Sequence, residues 1–383
     1  MNRADRRGAA DWWWTMDRFA LASMLGLFAI GLMLAFAASP AATGGPMTQG
    51  DFRYAAKQIA FAGIAVMMVG AASTLPLRSI KLSAALIYGL SVIGCAVALF
   101  AGNEVLGARR WINLGWVTLQ PSEFLKPSFA VLAAAVLADT RKMIVPKELV
   151  ALVLAAPALL VLVLQPDVGQ TALLLALWAA LLFFNGISLV WIGMLAGSSA
   201  GLGLLAYLLF PHVHHRINQF FDPQSTGYQA GLALRAFAHG GFAGVGPGAG
   251  TVKYHLPDAH SDFIFAVAGE EFGIVLCGII VILFCALCIR LLLRSARMGD
   301  AFSNLAGAGL AIVIALQAFI NMGVAVSLLP TKGMTLPFIS YGGSSLFAVA
   351  LTMGFALAVT RQRSKIGERD VELFAFLREA HGT

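Results

Sequence analysis

Long apolar runs of about twenty residues follow one another along most of the chain, separated by short polar or glycine- and proline-containing segments. Runs of this length are typical of transmembrane helices, because about 20 helical residues cross the hydrocarbon core of a bilayer. The runs are continuous and do not alternate with polar residues, which argues against a β-barrel. The pattern predicts ten spans, at residues 17–38, 54–74, 82–101, 121–138, 148–165, 168–184, 188–210, 262–290, 303–327 and 338–360.

The composition changes this picture little. Of the 383 residues, 59% are hydrophobic and 12% are charged, whereas a soluble domain is about 45–50% apolar and about 25% charged. We therefore predict an all-α polytopic membrane protein with about ten transmembrane helices. The four cysteines lie inside apolar runs without histidine partners at zinc-site spacing, which indicates packing and no protein metal site.

The basic residues predict the orientation of the chain. Most of the 26 lysines and arginines fall in alternate connecting segments, starting with the N-terminal one, and cytoplasmic segments are enriched in these residues. We therefore expect a single membrane domain, 1–383, with residues 1–16 as a cytoplasmic N-terminal segment and 361–383 as a cytoplasmic tail. Residues 211–261 become a large periplasmic loop between the seventh and eighth helices. Orientation accounts for the formal net charge of +7 without a nucleic-acid partner.

Charged residues interrupt this pattern in four segments on the predicted outer side. Ionisable groups at membrane depth cost about 2.5–3.5 kcal/mol each on insertion scales, so they usually pair or line a water-filled cavity. Four such segments on one side indicate a polar site that faces outward. The segments are 104–126, the sequence "QPDVGQ" (165–170), the long loop 211–261 with its continuation into "SDFIFAVAGEEFG" (261–273), and 331–345.

Asp262 is the candidate catalytic acid. Ser261 is expected to cap the eighth helix and to place Asp262 in its first turn, where the helix dipole favours an anion. The apolar residues that follow favour the protonated form instead. Glu270 lies eight residues further on, on a loosely similar helix face, which suits a second acid deeper in a cleft. The alternative is that Asp262 only assists capping.

Several other ionisable residues are candidates for binding a substrate. Glu123 and Lys126 are three residues apart and share a helix face; they line the cavity or form a local ion pair. Arg109, in "GARRW" (107–111), suits phosphate recognition, since guanidinium groups bind phosphate in a bidentate manner, although anchoring to lipid headgroups explains it equally well. Asp167 begins a helix and is as well explained by structure as by catalysis. Lys332 completes the set.

Five motifs, in order, resemble the SEDS family (shape, elongation, division and sporulation) of peptidoglycan polymerases. The resemblance covers nearly the whole chain and is greater to the division branch than to the elongation branch. The motifs are "GARRWINLG", "QPSEFLKP", "QPDVGQ", "LPDAHSDFIFAVAGEEFG" and "PFISYGGSS".

The resemblance implies a glycosyltransferase that polymerises lipid II, the undecaprenyl-pyrophosphate-linked disaccharide-pentapeptide, into glycan strands during septal wall synthesis. The essential acid of the family corresponds to Asp262, Glu123 and Lys126 match positions that line its central cavity, and Asp167 matches another acidic position. The implied partners are a class B penicillin-binding transpeptidase, other division proteins and membrane lipid. The implied location is the bacterial inner membrane at the division septum.

The chemistry of glycosyl transfer suggests a role for each candidate. Asp262 would accept the proton of the attacking sugar hydroxyl. Arg109, Lys126 and Lys332 would stabilise the leaving lipid pyrophosphate, with a divalent cation such as Mg²⁺ or Mn²⁺ as the one cofactor left open. A lipid II flippase is the alternative, but a transporter places its site near the midplane of the bilayer, and the polar residues here gather on one side.

Overall fold

Helices dominate the architecture and match the ten predicted spans. The computed structural model describes residues 12–42, 52–105, 108–115, 118–141, 144–209, 214, 218, 228–330 and 333–362. Within these ranges, ten helices fall on the ten predicted spans: α1 (Arg18–Ala42), α2 (Arg53–Thr74), α3 (Leu77–Ala101), α4 (Ser122–Leu137), α5 (Lys147–Leu164), α6 (Val168–Phe184), α7 (Leu189–Leu209), α9 (Ile264–Ala296), α10 (Ala301–Ala325) and α11 (Gly343–Val359).

The length and hydropathy of these helices fit a membrane. In the described part of the chain, six helices are long and apolar enough to cross a bilayer, namely α1, α2, α3, α5, α9 and α10. The helices α6 and α11 are apolar but shorter. The prediction of a polytopic helical membrane protein with about ten spans is confirmed.

The packing divides the helices into central and peripheral ones. In the most apolar stretch of α10, 67% of the residues are buried inside the protein, against 28% in α3 and in α5. The outer face of α3 exposes several large aliphatic side chains, as expected where a helix faces lipid tails: Leu82, Leu86, Leu90 and Ile93. The buried polar side chains of α10 therefore lie in the middle of the bundle.

Two elements of the connecting segments were not predicted. A small antiparallel sheet, β1 (Asn103–Val105), β2 (Ala108–Asn113) and β3 (Thr118–Leu119), lies between α3 and α4 in the order β1-β2-β3. The helix α8 (Tyr228–Gly240) lies within the segment expected to be a loop and packs against α9. It buries Leu232, Ala233 and Ala236, at the spacing of one helix face.

The start of α9 differs from the expectation. The helix begins at Ile264, and its N-cap residue, Phe263, makes no side-chain capping bond. Asp262 lies in the preceding turn, where the backbone N–H groups of Ser261 and Asp262 donate to the carbonyl of Asp258 at 3.0 Å. Asp258 adopts a φ of 54°, a left-handed conformation that aspartate tolerates. The predictions that Ser261 caps the helix and that Asp262 occupies its first turn were wrong.

A glycine divides α9 into two parts. Gly273 has a φ of 72° and a non-helical backbone inside the helix, a conformation that side chains larger than hydrogen strongly disfavour. The loop after α8 inserts at this point, since Val245 N–H donates to the carbonyl of Glu270 and Gly246 N–H donates to that of Glu271, both at 3.0 Å. These two hydrogen bonds join the part of α9 before Gly273 to the loop between α8 and α9.

An ion cluster closes the other end of α9. Asp17, which is buried, accepts a hydrogen bond from Arg290 Nε at 2.7 Å and lies 3.4 Å from Arg294 Nη1. Arg294 also donates to the backbone carbonyls of Thr15 and Thr360. The cluster connects the beginning of α1 to the ends of α9 and α11.

Candidate functional site

The backbone of Asp262 is held by a hydrogen bond, whereas its side-chain carboxyl group is left available. Its carbonyl accepts a hydrogen bond from Asn321 Nδ2 at 2.8 Å. The side chain is partly buried, and a Cβ added to Gly333 would lie 3.4 Å from Asp262 Oδ2. Burial, followed by the negative charges of Asp258 and Glu123, raises the pKa of Asp262 to about 7. A carboxyl group with this pKa can gain and lose a proton near neutral pH.

Glu123 and Lys126 form the predicted pair on α4. Lys126 Nζ donates to Glu123 Oε2 at 2.7 Å and to Gln317 Oε1 at 2.9 Å, and all three side chains are buried. Glu123 Oε1 accepts a hydrogen bond from Gln170 Nε2 at 2.6 Å. The pair thus belongs to a polar network that joins α4, α6 and α10. An ammonium group has three N–H donors, and two of those on Lys126 are used in this network.

Asp167 is the N-cap residue of α6, one position before the first turn in which the sequence pattern placed it. Its Oδ1 accepts a hydrogen bond from the backbone N–H of Gln170 at 3.3 Å and lies 3.6 Å from Arg110 Nη1. Arg110 also donates to the carbonyls of Gln165 and Pro166. Asp167 therefore has a structural role, and through Gln170 it is connected to Glu123.

The arginine beside Asp167 is Arg110, whereas the sequence pattern led us to propose Arg109 for phosphate binding. Both residues lie on β2, and successive side chains of a strand point to opposite faces. Arg109 is exposed, and the side chain of Arg110 is 23% exposed in its ion pair. Sequence alone does not reveal which of two adjacent arginines faces the bundle when the strand itself is not predicted.

Glu270 was expected to lie in the same cleft as Asp262, but the structure places it against the loop after α8. Its Oε1 accepts hydrogen bonds from the backbone N–H groups of Thr251 and Val252, both at 2.7 Å, and its Oε2 accepts one from that of Lys253 at 2.9 Å. His239 Nδ1 lies 2.9 Å from Oε1. The side chain has no solvent exposure, so in this structure it holds the loop after α8 and offers no atom to a substrate.

The neighbouring acid, Glu271, is equally enclosed. It forms an ion pair with Lys253, whose Nζ also donates to the carbonyl of Ala37 at 2.7 Å. Both side chains of the pair are fully buried. The two glutamates therefore attach the same loop to α9, one through backbone N–H groups and the other through a lysine.

The remaining candidates concern Lys332 and a metal ion. Lys332 lies outside the described residues, next to Gly333, where an added Cβ would lie 3.4 Å from Asp262 Oδ2. Among the described residues, no group of three or more histidine, cysteine, aspartate or glutamate side chains could hold a metal ion. The divalent cation therefore stays a prediction.

Three amide side chains of the site were missed in the sequence. Gln170, Gln317 and Asn321 are buried and hydrogen-bonded to the residues above. A signal was available, because Gln317 and Asn321 interrupt the apolar sequence of α10 at a spacing of four residues, which places them on one helix face. Polar residues inside transmembrane helices usually face the interior of the bundle.

Comparison with known proteins decides the family. A family model described as "Cell cycle protein", for FtsW, RodA and SpoVE, matches residues 18–365. The chain belongs to this family. The resemblance to the SEDS proteins is thereby confirmed.

Relatives within this family share most of their length with the chain. A probable peptidoglycan glycosyltransferase FtsW of Caulobacter vibrioides is 41% identical over 365 residues, which cover 94% of this chain and 93% of the relative. A protein of the same description from Nitrosomonas europaea is 35% identical over 361 residues, covering 90% and 92%.

Solved structures show the same fold. A chain from a study of polymerization and crosslinking by a peptidoglycan synthase complex matches with a TM-score of 0.76 and 27% identity, covering 92% of this chain and 100% of that one. The rod shape determining protein RodA of Thermus thermophilus matches with a TM-score of 0.68 and 25% identity, covering 92% and 99%.

Proposed function

We propose that the protein is a peptidoglycan glycosyltransferase of the FtsW type, which polymerises lipid II into glycan strands during septal wall synthesis. The curated relatives described as probable peptidoglycan glycosyltransferases support the reaction. The observation that carries the mechanism is the partly buried carboxyl group of Asp262, whose pKa of about 7 suits a general base.

Asp262 would act on the acceptor sugar. Its carboxylate accepts the proton of the attacking hydroxyl while the oxygen forms a bond to the anomeric carbon of the donor. The bond from that carbon to the pyrophosphate oxygen breaks, and the lipid pyrophosphate leaves with the bonding electrons. When the working pH is near the pKa of a base, a large fraction of the base is deprotonated and it still binds a proton strongly enough to accept one.

Lys126 is proposed to stabilise the leaving group electrostatically. It is fixed by Glu123 and Gln317 and retains one N–H donor beyond those two bonds. A preorganised cation needs little rearrangement when charge develops on the pyrophosphate. Arg109, Glu123, Asp167 and Lys332 remain proposed substrate-binding residues. A divalent cation such as Mg²⁺ or Mn²⁺ stays a proposed aid to the same step.

We place the protein in the bacterial inner membrane at the division septum. The charge bias supports cytoplasmic termini and a periplasmic position for residues 211–261 and the Asp262 turn. A class B penicillin-binding transpeptidase is the proposed partner, because a matching solved chain comes from a peptidoglycan synthase complex that couples polymerization and crosslinking.

The alternative function is a lipid II flippase. Its support is the buried network of Glu123, Lys126 and Gln317, which resembles the polar interior of a transporter. Asp262 argues for the enzyme, since it precedes the first turn of α9 and lies at the end of the bundle.

The deciding experiment gives the purified protein lipid II in proteoliposomes, with and without its transpeptidase partner. We expect glycan strands from the natural protein and none from Asp262→Asn, a loss of at least about 100-fold for removal of a general base. Asp258→Asn is the matched control, because it lies in the same turn, is exposed and keeps a residue that tolerates a left-handed backbone; it should retain most of the activity.

Two outcomes would overturn the proposal. Normal strand formation by Asp262→Asn would remove Asp262 as the base. Transfer of labelled lipid II across the bilayer without polymerisation, in the presence of the partner, would replace the enzyme with the flippase.

A further inference from the structure

The turn that carries Asp262 is attached at three consecutive residues, two of them to the segment between α10 and α11 and the third to α10. The carbonyl of His260 accepts a hydrogen bond from the backbone N–H of Tyr341 at 3.0 Å. The carbonyl of Ser261 accepts one from Ser340 Oγ at 2.5 Å. The carbonyl of Asp262 accepts the bond from Asn321. The position of the Asp262 carboxyl group therefore depends on residues far from it in sequence.

Asn321 makes the connection closest to the carboxyl group. Its Nδ2 donates to the carbonyl of Asp262 at 2.8 Å and to the carbonyl of Met334 at 2.6 Å. The amide orientation follows from these partners, because two carbonyl oxygens need two donors and only the NH₂ group of asparagine supplies them. One side chain thus joins α10, the Asp262 turn and the segment that contains Gly333.

The burial of Asn321 adds weight to this role. The residue is 1% exposed, and among the described residues its Oδ1 has no hydrogen-bond partner. An unpaired buried amide oxygen destabilises the folded protein. A leucine at this position would avoid that cost inside an otherwise apolar helix. What asparagine provides at this position is therefore its two donated hydrogen bonds.

Gln317 extends the attachment to the cation. It lies one helical turn before Asn321, and its Nε2 donates to the carbonyl of Thr335 at 3.2 Å while its Oε1 accepts from Lys126. The adjacent residues Met334 and Thr335 are thus held by two amides of α10. The same face of α10 contacts the turn of the proposed base and the ammonium group of Lys126.

We propose that Asn321 is a positioning residue, which sets the location of the Asp262 carboxyl group relative to Lys126 through its two hydrogen bonds. The inference rests on the proposed function for its kinetic consequence, but the attachment itself is measurable without catalysis. Displacing a catalytic group by about 1 Å costs about 100-fold in rate. A loss of this size is expected when the attachment is removed.

The test compares Asn321→Leu with Asn304→Leu in the full-length protein with its transpeptidase partner. Asn304 lies near the other end of the same helix, so the two variants make the same chemical change at different places. We expect Asn321→Leu to lower kcat for lipid II polymerisation by about 10- to 100-fold, with KM changed less than threefold and the pH midpoint retained. Asn304→Leu should keep the natural kcat.

Hydrogen exchange supplies a readout that does not depend on activity. The N–H groups of Ser261, Asp262 and Phe263 donate to the carbonyl of Asp258, so their exchange reports how firmly the turn is held. We expect about tenfold faster exchange of residues 258–263 in Asn321→Leu and no change in Asn304→Leu. Asn321→Gln, which retains both donors on a longer side chain, should recover part of the exchange protection.

Each result distinguishes the two proposals. Natural exchange and natural kcat in Asn321→Leu would overturn the positioning role while leaving glycosyl transfer intact. Faster exchange in Asn321→Leu, together with a natural protein that forms no glycan strands, would support the attachment and overturn the proposed function. A general loss of folding in Asn321→Leu, seen as faster exchange throughout α10, would overturn a role specific to the Asp262 turn.

Discussion

Glu270 and Asp262 lie eight residues apart, yet their surroundings are opposite. Three backbone N–H groups donate to the carboxylate of Glu270, which is fully buried. Among the described residues, none donates a hydrogen bond to the carboxyl oxygens of Asp262, and only its backbone is held. The comparison separates an acid that holds the fold from one that is available for proton transfer.

The largest expected effect concerns the lysine that pairs with the adjacent Glu271. Lys253→Met leaves the Glu271 carboxylate buried and without its cation, which should cost about 3–5 kcal/mol of folding free energy. Thermal unfolding in detergent measures the loss, with the exposed Lys57→Met as the control. Equal melting temperatures for the two variants would show that the loop after α8 is not held by this pair.

A paired substitution tests the comparison directly. Glu270→Gln replaces an acceptor atom by a donor facing backbone N–H groups, which should destabilise the protein by about 1–3 kcal/mol. Asp262→Asn should not lower the melting temperature, since no described residue donates to its carboxyl oxygens and the substitution removes a charge that burial disfavours. The melting temperature and the polymerisation rate per folded molecule are measured together. The comparison would fail if Asp262→Asn lost stability and Glu270→Gln did not.

The pH dependence of polymerisation tests the state of Asp262. Because the pKa is raised to about 7, the folded protein binds this proton more tightly than the unfolded chain. The bound proton therefore stabilises the folded protein fully below the ordinary aspartate pKa, and this stabilisation is lost as pH rises through about 7. Activity follows the opposite course, falling about tenfold per pH unit below the midpoint and levelling off above it. A kcat midpoint near pH 4 would contradict the assignment.

The smallest effect is expected for an exposed pair between α4 and α5. A side-chain hydrogen bond from Arg141 lowers the pKa of Asp139 to about 2, but the side chain of Arg141 is 85% exposed. Solvent and salt screen such pairs. Arg141→Ala should therefore change neither the melting temperature nor the polymerisation rate. A measurable loss would mean that ion pairing alone, without burial, stabilises this protein.

The spans were predictable because the hydrophobic pattern of a membrane helix is long and strong. The sheet was not, since its strands contain two to six residues and carry no clear alternation. Without β2, the sequence could not show that Arg109 and Arg110 point to opposite faces, with Arg110 beside Asp167. At Glu270, helix geometry predicted the face of the side chain, whereas its partners come from a loop whose course the sequence does not reveal.

The site was predictable where its residues are neighbours on one helix. Glu123 and Lys126 pair as their spacing indicates, although their contact with a substrate stays a prediction. Gln317 and Asn321 act on residues that are distant in sequence. Their polarity marks them as interior residues, but their partners follow only from the arrangement of α10 beside the turn.

The ion cluster at the other end of α9 has a consequence for biosynthesis. Asp17 and Arg290 are separated by 273 positions, and ribosomes add about 5–20 residues per second. The first helix therefore enters the bilayer on the order of 15 to 50 s before the arginine that neutralises its aspartate exists. During that interval Asp17 lacks its arginine partner on α9. The ion cluster between the first and the eighth membrane segment therefore forms late in the synthesis of the protein.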